Sequence, residues 1–90
     1  MKEELKGFLK QKVVLDTNSA WTYIGEVVEV THSCAVLSKV DVHNSSETRS
    51  SREMYIMESK ETGIKDNRDC VYVNLDFIVS FSLLEDVKSF

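Results

Sequence analysis

The stretch Val71-Tyr-Val-Asn-Leu-Asp-Phe-Ile-Val-Ser-Phe-Ser-Leu-Leu84 decides how the chain folds. Val71 to Val73 is a short β-branched and aromatic run. Phe77, Val79, Phe81 and Leu83 then recur at period two with Ser80 and Ser82 between them, the alternation of a strand with one buried face. Only Asn74, Leu75 and Asp76 separate the two runs. So short a link predicts a tight hairpin with an acid at its bend, closing a small β structure.

Working back from that end, more short strands precede it. Cys34 to Val42 carries Val36, Leu37, Val40 and Val42. Trp21 to Val30 is the longest β candidate, with Tyr23, Ile24, Val27, Val28 and Val30. Gly25 in its middle predicts a bend or bulge, as a small barrel needs at its corners. Thr31-His-Ser33 is a polar break between these two. Gln11 opens a strand through Val13, Val14 and Leu15, and Asp16-Thr-Asn-Ser19 is turn chemistry. Met54 to Met57 reads as a brief strand and Glu61 to Asp69 as a loop. Asn44 to Arg52 is a polar, low-complexity run. Ahead of all this, Leu5, Phe8 and Leu9 lie at helical spacing among charged neighbours, predicting a short amphipathic helix within residues 1–10 that docks on the sheet. One helix, then five or six strands with no crossover helix, predicts an all-β fold: a small, strongly bent, five-stranded antiparallel barrel.

Ninety residues make one domain, 1–90, with a single core. Hydrophobic content of 42% and charged content of 29% exclude a disordered chain. No apolar run reaches a membrane span and the N-terminus lacks a signal-peptide core, so the expectation is a soluble cytoplasmic protein with no membrane partner. Cys34 and Cys70 read as free thiols. The net charge of −4 opposes diffuse nucleic-acid binding, so such binding has to be local.

Val13-Val-Leu15 followed by Tyr23-Ile-Gly25-Glu-Val27 looks like the first motif of the Sm and Sm-like family, which includes bacterial Hfq: an apolar strand leading to aromatic-x-Gly-x-aliphatic. Val73-Asn-Leu-Asp-Phe-Ile-Val-Ser-Phe81 looks like its second motif, usually Ile-Arg-Gly-Asp-Asn-Ile-Val-Tyr-Ile. The polar 44–52 run falls where that family carries its most variable loop. The resemblance covers about three quarters of the chain. It implies an SH3-type barrel of Sm-like kind and a cyclic homo-oligomer in which Val71 and Val73 pair with Phe77, Val79 and Phe81 of a neighbour. It also implies single-stranded RNA or DNA as a partner. The chain departs from the second motif where Asn74 replaces Arg and Leu75 replaces Gly, removing a cation and a planar stacking surface.

Counted forward from Gly25 without a gap, Thr31 and Ala35 take the family's Asp and Asn positions. Aligned back from Leu37, with one deletion that restores the apolar register of Val36-Leu37, His32 takes the family's base-stacking position and Cys34 its Asn position. His32 then stacks on a base, or is a solvent-facing loop residue. Asn74 reads a base edge, or forms the turn. Asp76 braces the loop by accepting backbone N–H bonds. Lys39, Arg49 and Arg52 form the one phosphate-contacting patch, diluted by Glu47 and Glu53, or are simply solvated. Trp21 anchors the barrel core or a subunit interface. His32-x-Cys34 with His43 lacks the paired spacing of a zinc site, and no phosphate loop, spaced carboxylate pair or oriented nucleophile is present. No metal, cofactor or enzymatic activity is expected. The alternatives are an oligomeric adaptor ring without nucleic acid and a monomeric SH3-like barrel that binds a peptide.

Overall fold

The computed structural model describes residues 1–46 and 51–88. A helix α1 (Lys2–Lys6) leads into strands β1 (Lys12–Thr17), β2 (Trp21–Val30) and β3 (Cys34–Asn44). A second helix, α2 (Arg52–Thr62), then precedes β4 (Arg68–Asn74), a 3₁₀ turn (Leu75–Phe77), β5 (Ile78–Leu83) and a final 3₁₀ turn (Leu84–Asp86). The strands form one antiparallel sheet in the order β4-β3-β2-β1-β5. Among the described residues no helix is long and apolar enough to cross a membrane.

The expected closing hairpin does not form. β4 and β5 are consecutive in the chain yet lie at opposite edges of the sheet, so the sheet is open. A flat sheet separates edges four spacings apart by about 19 Å. The three linking residues Leu75–Phe77 bridge at most about 14 Å. The sheet must therefore curl sharply, and β2 shows where: its pairing with β3 shifts register between Ile24 and Glu26 and again between Val27 and Glu29. The first shift falls at Gly25, as its sequence position predicts. A Cβ there would meet Ser38 O and Val40 Cγ2, each at 3.1 Å, so bare backbone lets β3 close onto the bend.

Curling gives the sheet two differently covered faces. The concave face holds the main core, including Val13, Leu15, Val27, Leu37 and Ile78. Leu5 of α1 is buried there, and Phe8 packs edge-on against Phe81 with ring centroids 5.8 Å apart. The convex face carries Val14 and Ile24, covered by Tyr55 and Ile56 of α2 and by Leu84. Both faces of β1 are thus buried, which explains its unbroken apolar run.

Three sequence expectations change. Met54–Met57 belongs to α2, which begins at Ser51 with its hydroxyl accepting the Met54 amide at 3.2 Å. That helix also occupies the start of the expected 61–69 loop. α1 ends at Lys6, and Leu9 is 42% exposed instead of docked. In β5 the pairing with β1 shifts between Asp16 and Thr17, leaving Val79 as the extra residue. That bulge breaks the period-two face: Ile78 is buried, Phe81 and Leu83 are half-buried, and Phe77 and Val79 are exposed.

Candidate functional site

Two loops separated by some forty residues in sequence meet at one end of the sheet. Cys34 opens β3 and pairs with Asn74, the last residue of β4. One residue on, the Leu75 amide donates to the Ser33 carbonyl at 2.9 Å. His32, exposed at the tip of the β2–β3 turn, therefore stands beside the 3₁₀ turn that carries Asp76. The chain folds this way locally because both loops contain side chains able to bond their own backbone. Thr31 Oγ1 accepts the Cys34 amide at 2.9 Å, while the Thr31 amide donates to the Cys34 carbonyl at 2.8 Å. Asn74 caps its turn: Oδ1 accepts the Asp76 amide at 2.9 Å.

That last bond fits the turn-forming reading of Asn74 and overturns the bracing role expected of Asp76. Asn74 braces the turn through its side chain, and Asp76 supplies only its backbone N–H. The carboxylate of Asp76 is exposed and makes no hydrogen bond among the described residues. The structure thus brings together His32, Cys34, Asn74 and Asp76. It presents an exposed imidazole, a half-buried thiol, a free carboxylate and the nitrogen of a carboxamide whose oxygen is engaged.

The cationic patch is not assembled. Lys39 lies beyond Ser38, the residue that pairs with Cys70, about 17 Å along β3 from Cys34. It lines a cavity of about 350 Å³ with Lys12, Glu26 and Asp66. Arg52 is committed elsewhere, donating from NH2 to the Ser19 carbonyl at 2.8 Å, with NH1 3.8 Å from Asp16 Oδ1. Arg49 lies outside the described residues. Trp21 is not a core anchor: it is 39% exposed in a cleft of about 240 Å³ with Tyr23 and Phe77.

Of the five edge residues expected at a subunit interface, Phe77 and Val79 are exposed, Val71 and Phe81 are half-buried, and Val73 is in the core. Sequence reasoning missed Tyr72, a large hydrophobic side chain on β4 that is 68% exposed. Its alternation with Val71 and Val73 was the available signal. Thr31, at the family's Asp position in the ungapped count, sets the His32 turn through its hydroxyl. No protein-family model matches the chain, and no curated protein matches it in sequence.

Proposed function

We propose that the chain is a divergent Sm-like ring subunit that binds single-stranded RNA near the ring's central opening through the His32 turn and the Asn74–Asp76 turn. The observation that carries this reading is the meeting of those two loops through the Leu75–Ser33 bond. Loops at a sheet end can offer an aromatic ring and an amide to an unstacked base without a duplex groove. The sheet order supports the assembly half. Among the described residues the edge strands β4 and β5, of seven and six residues, both lack a partner on one side. Pairing β4 of one copy with β5 of the next would satisfy both edges and cover Tyr72 and Val79. The completed barrel belongs to this reading: the open curl of each subunit would be extended by its neighbour.

An adaptor ring without nucleic acid is the second reading, favoured by the engaged oxygen of Asn74 and the net charge of −4. Light scattering coupled to size exclusion, with and without short U-rich and A-rich RNA, separates the two. Expected is a closed oligomer that takes up RNA at low salt and loses it on His32→Ala or Asn74→Ala. A ring indifferent to RNA selects the adaptor; a monomer overturns the assembly and leaves a peptide-binding barrel.

A further inference from the structure

We infer that α2 is a strap that lifts from the convex face of the sheet as a unit while all five strands stay paired. Its grip on the sheet is narrow. Of the eleven residues from Arg52 to Thr62, three are buried, Tyr55, Ile56 and Ser59. The Ser59 hydroxyl bonds the Tyr55 carbonyl within the helix itself, at 3.1 Å. The remaining ties are polar and peripheral: Arg52 to the Ser19 carbonyl and, at 3.8 Å, to Asp16 Oδ1, the Tyr55 hydroxyl to the Asp41 carbonyl at 3.4 Å, and Lys60 to the Val87 carbonyl. Water can replace each of them.

What lies beneath favours release. Asp16 pairs with Thr22 across β1 and β2, and Thr22 with His43 across β2 and β3. These three side chains form one transverse row on the convex face, extended on β5 by Ser80, which donates to Asp16 Oδ2 at 3.1 Å. Thr22 Oγ1 and His43 Nε2 are each buried without a hydrogen-bond partner, and Asp16 Oδ1, also without a hydrogen bond, has only the 3.8 Å ion pair to Arg52. Tyr55 stacks flat on His43, with ring centroids 3.7 Å apart, and shuts this row off. Buried polar atoms without partners penalise the state that buries them. Lifting α2 admits water to all three.

The sheet does not need α2 to stay together. Asn67, just before β4, locks the neck of the excursion between β3 and β4. Its amide donates to the Val40 carbonyl at 2.9 Å, its Oδ1 accepts the Val42 amide and its Nδ2 donates to the Val42 carbonyl, both at 3.0 Å. The side chain imitates a strand residue, so the ladder closes before the helix begins. Lifting bares an apolar strip of Val14, Ile24 and Leu84 beside the polar row, and this face alternates between covered and open.

Native-state hydrogen exchange on the full chain tests the inference. The α2 amides from Tyr55 to Thr62 should exchange at least about tenfold faster than those of Val14 and Ile24, by an opening that low denaturant leaves unchanged. Thr22→Val removes an unpaired hydroxyl at constant shape and should slow α2 exchange by about threefold or more. Tyr55→Ala should abolish α2 protection and leave β1–β3 protected. The inference falls if α2 exchanges in step with the strands at every denaturant concentration. It falls equally if Thr22→Val leaves α2 exchange unchanged or faster, or if Tyr55→Ala strips protection from the strands as well.

Discussion

Tyr55 and His43 lie face to face, their rings 9° from parallel and 3.7 Å apart. This contact ties a helix that the sequence hides to β3, the strand next to one edge of the sheet. It also buries the Tyr55 phenol, and burial, reinforced by the hydrogen bond and charge of Asp41, pushes its ionisation well above the ordinary range.

The sign of the resulting pH dependence is definite. A folded-state pKa raised above the unfolded one contributes stability that is fully present below the unfolded value, about 10, and is lost as pH rises beyond it. Above that pH, wild-type protein should lose stability with rising pH more steeply than Tyr55→Phe. Urea titrations of both proteins between pH 8 and pH 11.5 check this; parallel curves would refute it.

Gly25 is a packing requirement. Added to this site, a methyl group would press on Ser38 O and on Val40 Cα, both backbone, at 3.1 and 3.3 Å. Backbone in a paired strand has little room to yield. Gly25→Ala should cost about 1–3 kcal/mol, seen as a lower denaturation midpoint with an unchanged slope.

Asn74 has a structural duty whatever it binds. Asn74→Ala removes the acceptor for the Asp76 amide and should cost about 1 kcal/mol, whereas Asn74→Asp should retain most of the cap. Chemical denaturation of the two variants distinguishes them. If both are equally stable, the cap contributes nothing.

Val79 stands 64% exposed on an edge strand. On the proposed ring, Val79→Lys should leave the monomer folded, with a circular dichroism spectrum like wild type, and should convert the oligomer expected of the wild type to a single chain in light scattering. A variant that still assembles would place the subunit contact elsewhere.

Much of the sheet was legible in the sequence. Strands β1 to β3 follow their β-branched runs closely, and Gly25 marked its bend, because these features depend on neighbours within a few residues. Helix α2 was not legible. Its buried residues, Tyr55, Ile56 and Ser59, occupy a single turn, while the run Met54-Tyr-Ile-Met57 has the composition of a strand. The usable signals were its N-cap Ser51 and the acidic Glu53 in its first turn. Of the candidate site, the sequence marked His32, Cys34, Asn74 and Asp76. The turn-forming reading of Asn74 was also available there; only the folded chain revealed that Asp76 contributes its amide and that Arg52 is committed to Asp16 and Ser19.

By itself the sequence determined which segments extend, where the longest strand bends and which turns bond their own backbone. Tertiary structure alone decided that β4 and β5, three residues apart, become opposite edges. It also placed Val79 on the bulge that turns the last strand's face. Both follow from the curl of the whole sheet, which depends on register shifts in β2 and on helices packed against each face. No local window of sequence carries that sum of distant contacts.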